Sequence, residues 1–427
     1  MKTTPLHSWH CAQGANMGEF GSYEMPLWYP NGAKAEHLAV INNAGLFDTS
    51  HMAVLTITGK DARTLIQRCF TKDIDACIGK NKTPLVAGRC VYGIFLNQKG
   101  GVIDDAIVYQ FTADDYMLVV NAAMGNTIKA HLDSHVHAEE VVSIHDLTDQ
   151  VGKMDIQGPA SGRILAKIIK DPAVLFDKMI YFSFKGTFDH NKLPFAQTEL
   201  LDNTPLMVSR TGYTGEFGFE LFIAPEHIAS LWQQLLEAGK EEGLIPCGLA
   251  ARDSLRSGAG LPLSHQDIGD WPFAANPWLF TLPLDPGSNA FTKEFVGRKT
   301  LEGTASPAWT LPFAGYDLRK IPLSEKSKVT DLDGNTLGIP LTCTTDMAID
   351  RVNNTIISLA SSEEDGKPEG FKPKGLCCGF VKLNTKLDTG SQVILTDGKR
   401  KLKIEIRDDI RPDRTARRPV AQMIPSL

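Results

Sequence analysis

The run VYGIFLNQKGGVIDDAIVYQF, residues 91–111, decides the fold class. Two stretches rich in β-branched and aromatic residues flank Asn97-Gln98-Lys99-Gly100-Gly101, a turn signal that folds them into a hairpin. A second turn, Thr112 to Asp115, leads into YMLVVNA (116–122), so the three runs read as an antiparallel meander. Just upstream, MAVLTIT (52–58) reads as a strand, and DARTLIQRCF (61–70) as a helix with Leu65 and Cys69 one turn apart. Antiparallel strands mixed irregularly with helices, without a repeating βαβ period, place the chain in the α+β class.

Downstream, GPASGRILAKII (158–169) reads as a helix with Pro159 at its first position. PLMVSR, a glycine-rich turn and GFELFIA form a second hairpin over 205–224. EHIASLWQQLLEAGKEEG (226–243) is an amphipathic helix with Ile228, Leu231, Trp232, Leu235 and Leu236 on one stripe. Another helix starts near Gly248 and carries Arg252 and Arg256 one turn apart. Residues 262–292 lose periodicity and read as a long crossing segment. Beyond about residue 306, short strands dominate (WTLPFAGYDL, TLGIPLTCTT, TIISLAS, CCGFVKL, SQVILT, KLKIEI), which predicts a C-terminal β-barrel or sandwich. The charged, Gly- and Pro-containing stretch 361–375 reads as an exposed insert.

The 427 residues suffice for two or three domains at the usual ~150 residues each. At 42% apolar and 22% charged the chain is globular, not disordered or fibrous. Its formal charge of -6 argues against general nucleic-acid binding. No apolar run reaches the ~18 residues of a membrane helix, and MKTTPLHSWHCAQG lacks a signal-peptide core. Eight scattered cysteines without a CxxC pair predict a reduced, cytoplasmic protein with neither a disulfide frame nor a zinc site.

Four constellations carry chemistry. Strand alternation puts Ile103, Asp105, Ile107, Tyr109 and Phe111 on one face and Asp104 on the other. Asp105 therefore sits among large apolar side chains, either bonded to a nearby turn or facing a ligand as an acid or acceptor. Asp104 reads as structural. In RTGYTGEFGFE (210–220), glycines at spacing three allow a close backbone approach, and Glu220 returns beside Phe222. That carboxylate suits either a surface cation or a flat heterocycle with two adjacent N–H donors. Arg252 and Arg256 require a carboxylate or a carbonyl-rich ligand nearby, or internal Asp partners. The tail RPDRTARRP, with Arg411, Arg414, Arg417 and Arg418, reads as a solvated basic edge or an anion site. His131, His135 and His137 read as a surface helix end; no metal is expected, and Walker A, GxSxG and HExxH motifs are absent.

Together these segments resemble the folate-dependent aminomethyltransferase family, the T-protein of the glycine cleavage system. EMPLWYPNGAKAEHLAVINNAGLFDTSHM (24–52) resembles the family's N-terminal signature. GGVIDDAIVY, YMLVVNA, DIQGPAS, SRTGYTGEFGFEL, GLAARDSLR and PLSHQDI follow in the family's order, and FVGRKTL (295–301) fits its late helix. The chain departs from the pattern where GLAARD stands for GLGARD and where the barrel signature is reduced to LTCTTDMAI (341–349).

The resemblance implies a three-domain cloverleaf around a central folate cavity. Two interleaved antiparallel α+β domains would fill residues 1–305 and a jelly-roll-like β-barrel 306–427. It implies Asp105 as the catalytic acid beside the reactive nitrogens of tetrahydrofolate, with Tyr92, Ile107, Tyr109 and Asn121 lining the site. Tyr213, Glu220 and Arg252 would hold the pterin, and Arg418 would meet folate glutamates or an acidic surface of a lipoylated H-protein. The implied reaction moves the methylene of an aminomethyl-lipoyl group to tetrahydrofolate and releases ammonia. The alternative on the same fold is a tetrahydrofolate-dependent demethylase of a small methyl donor. The KGCxxGQE-type segment of iron–sulfur-maintenance relatives is not found.

Overall fold

The computed structural model describes residues 1–188, 197–304 and 308–425. The meander forms as its turn chemistry dictates. Asn97 Oδ1 accepts the backbone N–H of Lys99 at 2.9 Å and of Gly101 at 3.1 Å, and Gly100 takes φ 74°, a conformation glycine adopts without a Cβ clash. Strands Arg89–Leu96, Val102–Gln110 and Asp115–Val120 pair antiparallel, and Ala53–Thr58 and Ser143–Asp146 complete a five-stranded sheet. Helices Ala62–Cys69 and Gly125–Asp133 cover one face through Leu65, Ile66, Ile128 and Leu132, packed on Val108 and Leu118.

A six-stranded sheet runs in the order Phe184–Lys185, Met207–Ser209, Gly218–Ile223, Gly152–Gln157, Ala44–Asp48 and Leu244–Pro246. All its pairs are antiparallel except the last. Ile228, Leu231, Trp232 and Leu235 of the helix Ile228–Gly239 are buried in its core, each contributing about 1.5–3 kcal/mol by burial. The two sheets meet where Val54, Tyr109, Met117 and Val119 pack on Phe184, Met207 and Phe222. They are interleaved in sequence, because Ala44–Asp48 precedes the whole five-stranded sheet.

Trp309–Gly315, Leu376–Leu383, Thr336–Asp346, Lys328–Thr330, Gln392–Thr396 and Lys401–Ile406 form a closed antiparallel barrel of six strands. Its closure leaves no free edge, and it has fewer strands than the eight of a jelly roll. The expected division between residues 305 and 306 lies outside the described residues. The crossing segment 262–292 holds only a 3₁₀ turn, Leu279–Thr281, and isolated bridges. Ile268, Phe273, Trp278 and Leu282 in it pack against Ile94 and Leu96 of the meander and Phe380 of the barrel. Its apolar residues face several directions, so they have no single period.

Two expectations change, and one helix has no sequence signal. The helix after Pro159 begins at Ser161, because Gly158 N–H is tied to Phe217 O of the hairpin and the chain turns there before coiling. The helix Gly32–Asn42 carries no apolar stripe to announce it, since it buries Glu36 and His37 beside Val40. Arg411 is no solvated edge. It is 1% exposed and pairs with Asp346 Oδ2 at 2.5 Å and Glu216 Oε1 at 3.2 Å, while its Nη2 donates to Thr214 O. Asp346 also accepts from His37 at 3.1 Å and from the Ala348 N–H at 2.8 Å. One carboxylate of the barrel thus joins the C-terminal tail, the glycine hairpin and the N-terminal helix.

Truncating Arg411 leaves Asp346 and Glu216 buried without their cation. Arg411→Ala is expected to cost about 3–5 kcal/mol, read as a lower urea midpoint with native circular dichroism retained below the transition. A loss within 1 kcal/mol would show that the pairing is not a structural strut.

Candidate functional site

The register of the first two meander strands shifts between Phe95 and Leu96, so Ile103 is an extra residue in the second strand. Bulges increase local twist. Alternation alone puts Asp104 and Asp105 on opposite faces, yet both reach one amide: Asn121 Nδ2 donates to Asp104 Oδ1 at 2.8 Å and to Asp105 Oδ1 at 2.5 Å. Asp104 is fully buried and also accepts from the Asn121 N–H at 2.9 Å and Ser264 Oγ at 2.7 Å. Asp105 keeps some accessible surface and accepts from Tyr92 Oη at 2.7 Å.

Burial pushes the Asp104 carboxyl above its usual range. Burial, then the adjacent Asp104 charge, pushes Asp105 up to about 7. Two adjacent buried acids resist ionising together, so Asp105 is poised to give or take a proton near neutrality. Tyr92, Asp105, Ile107, Asn121 and Tyr213 are only partly buried, yet desolvation dominates the titration of Tyr92, Asp105 and Tyr213.

Along the same strand face, Tyr109 lies four residues from Asp105, roughly 13 Å at ~3.3 Å per residue. Its Oη donates to Glu220 Oε2 at 3.3 Å. Glu220 also accepts from Thr211 Oγ1 at 2.5 Å and from Lys153 Nζ at 2.8 Å. Lys153 Nζ is shared with Asp155 Oδ1 at 2.7 Å, and Asp155 Oδ2 accepts from Arg252 Nη1 at 2.6 Å. Burial opposes the charge on Asp155, but Lys153 and Arg252 outweigh it and hold the carboxyl well below its usual range. The Arg252 guanidinium stacks 5.0 Å from the Tyr213 ring centre, and Tyr213 Oη donates to Pro262 O.

Asp105, Tyr92 and Asn121 therefore stand together at one end, with Ile107 and Tyr109 leading along the strand. Glu220 and Arg252 at the other end are linked through Lys153 and Asp155, with Tyr213 against Arg252. Arg418 is not tied to either end: its backbone carbonyl accepts from Arg210 Nη2 at 3.2 Å. Arg252 and Arg256 both take internal Asp partners, Arg256 pairing with Asp267 and Asp253. His131 and His135 are partly buried where a surface helix end was expected; only His137 is exposed.

Sequence reasoning missed Lys153, Asp155 and His51. The signal for the first two was present, because GKMDIQ (152–157) alternates Lys, Asp and Gln with Met and Ile, and all six residues are buried. His51 is 3% exposed, its Nδ1 has no hydrogen-bond partner among the described residues, and burial pushes its pKa down to about 4. It is therefore neutral beside the charges of Asp48, Arg252 and Lys153.

Residues 6–273 match the family model of the GCVT N-terminal domain. The chain is 36% identical over 305 residues to the aminomethyltransferase of Anoxybacillus flavithermus, covering 71% of this chain and 77% of that one. The chain belongs to the aminomethyltransferase family. It is also 39% identical over 268 residues to the aminomethyltransferase of Chlorobaculum tepidum, covering 63% of this chain and 67% of the relative. The solved glycine cleavage system aminomethyltransferase T of Bartonella henselae shares the fold, with a TM-score of 0.72 over 98% of this chain and 99% of that one at 24% identity.

The titration of the carboxylate pair is open to a direct test. With Asp104→Asn the neighbouring negative charge is gone, ionising Asp105 costs less, and its pKa falls. A pH-titrated infrared carboxyl band is expected to show a protonation step near pH 7 that moves to lower pH in the variant. A step that stays in place would remove the Asp104 charge as its cause.

Proposed function

We propose that this chain is a tetrahydrofolate-dependent aminomethyltransferase of the glycine cleavage type. It takes the methylene of an aminomethyl group on the lipoyl arm of an H-protein and releases ammonia. The observation that carries the reading, in a chain of this family, is Asp105, held by Tyr92 and Asn121 and pushed up to about 7, on a strand face whose far end meets Glu220 through Tyr109; we read these residues as lining one recess. We read the two sheets and the barrel as a three-domain cloverleaf around it, with residues 1–305 and 306–427 as the two regions of the chain.

The residues present fit a reduced folate. Glu220 uses three of about four acceptor positions, on Lys153, Thr211 and Tyr109, and keeps one for a ring N–H. Arg252 commits one of its five N–H donors to Asp155 and keeps the rest for a ring carbonyl. When bound, the folate supplies the amine nucleophile that accepts the one-carbon unit. Asp105, held by Tyr92 and Asn121, places a carboxyl that holds or moves a proton at Oδ1 or Oδ2. Tyr213 and Ile107 give the ring flat and apolar walls, and Tyr109 fixes the Glu220 rotamer. Orientation and one proton-handling group meet the chemical need. Arg418, half-buried on the tail, would meet an anionic extension of the folate or an acidic H-protein surface. No helix among the described residues is long and apolar enough to cross a membrane, and all eight cysteines are free, in keeping with work in the cytoplasm.

Purified protein is expected to release ammonia from aminomethylated H-protein only when tetrahydrofolate is supplied. A 5-methyl product from a small methyl donor, with no ammonia from H-protein, would overturn the assignment in favour of demethylation. Asp105→Asn is expected to cut turnover by about 10²–10⁴-fold while folate still binds. Glu220→Gln, which keeps the shape and halves the acceptor strength, is expected to weaken folate binding by about tenfold or more in titration calorimetry. Unchanged turnover or unchanged affinity, respectively, would remove each residue from its role.

A further inference from the structure

On the helix-covered face of the five-stranded sheet, away from the recess, the helix Ala62–Cys69 ends on a fully buried thiol. The helix Gly125–Asp133 packs beside it and carries His131 in its last turn, with His135 just beyond its end. The Cys69 Sγ and one ring nitrogen from each histidine all lie within 4.8 Å of one another.

Two local facts make this more than proximity. His131 Nε2 is buried with no hydrogen-bond partner among the described residues. His135 Nδ1 lies 2.8 Å from the His131 carbonyl oxygen, so its N–H donates there, which fixes the tautomer and leaves the Nε2 lone pair bare. A backbone carbonyl that orients one ring nitrogen so the other is free is the usual support of a ligating histidine. Phe95 walls the group edge-on to His131, ring centres 6.0 Å apart.

We propose that Cys69, His131 and His135 bind a borderline or soft transition-metal ion, Zn²⁺ or Cu⁺, with one coordination position open. One thiolate and two imidazoles exclude Mg²⁺ and Ca²⁺, which take oxygen ligands. In a tetrahedral site with ~2.0–2.3 Å bonds the donor atoms stand ~3.5 Å apart, so closing this group takes a shift of about an ångström. Burial holds His131 neutral at physiological pH and pushes the Cys69 thiol up to about 12. Binding therefore breaks the S–H bond, forms the S–metal bond and releases one proton to solvent. The Arg68 guanidinium and Lys293 favour the thiolate that results, and Glu140, paired with Arg68, opposes it. The ion would clamp the two helices and take no part in chemistry at the recess.

The test uses the full chain, stripped of metal and kept reduced. Co²⁺ is expected to give a near-ultraviolet thiolate-to-cobalt band at one ion per chain, and Zn²⁺ to displace it. Apparent Zn²⁺ affinity is expected to rise about tenfold per pH unit as the thiol proton is released. Cys69→Ser and His135→Ala should each abolish the band. The partly exposed His135 keeps the test open if Cys69→Ser fails to fold. Cys343→Ser, in the barrel beside Cys377, should leave the band intact. Competition between Zn²⁺ and Cu⁺ against chelators of known affinity then names the preferred ion. No band and no retained metal, or a band that survives His135→Ala and Cys69→Ser, would overturn the site.

Discussion

Charges buried in this protein persist where an opposite charge or several hydrogen-bonding groups converge on each, and that constraint organises the fold. Removing an ion from water is expensive, so every buried carboxylate must sit where a cation or several donors converge. Asp346 meets Arg411 and His37, Asp267 meets Arg256, and Asp155 meets Lys153 and Arg252. Asp346 with Arg411 and Asp155 with Arg252 join segments 65 and 97 residues apart, so these ion pairs fix how the barrel, the sheets and the arginine-bearing helix sit against one another. Hydrophobic contact supplies the driving force, and the charged pairs decide which packing satisfies it.

The carboxylates at positions 104 and 105, like Glu36, are paired with no cation among the described residues. They are held by neutral donors, Asn121, Tyr92 and Ser264. Neutral donors offset only part of the desolvation, and the remainder appears as affinity for a proton. The same chain that pins Asp155 as an anion therefore leaves Asp105 poised to titrate. Their partners account for the difference: full countercharge at one end of the recess and hydrogen bonds alone at the other.

The strands were legible wherever one face is buried and the turn chemistry is local. The meander, the glycine hairpin and the amphipathic helix at 228–239 all follow from period and turn residues. Asp105 was legible for the same reason, as a charge on an apolar strand face. Lys153 and Asp155 escaped notice because their strand is buried on both faces, and short polar–apolar alternation normally marks a half-exposed strand. The shared grip of Asn121 on both acids was also hidden, since it depends on a bulge that no local pattern announces. Arg411 looked like part of a basic tail, because its partners Asp346 and Glu216 lie 65 and 195 residues away.

The strand Ala44–Asp48 pairs on one side with Gly152–Gln157 and on the other with Leu244–Pro246. During synthesis, that early strand waits with both edges unpaired until residue 157 has left the ribosome, and with one edge unpaired until residue 246 has. The five-stranded sheet, complete by residue 146, can assemble during that delay and offer its apolar back to the waiting segment. An abrupt stop anywhere between those points would leave a nascent chain with an exposed β-edge, the kind of surface that chaperones exist to shield.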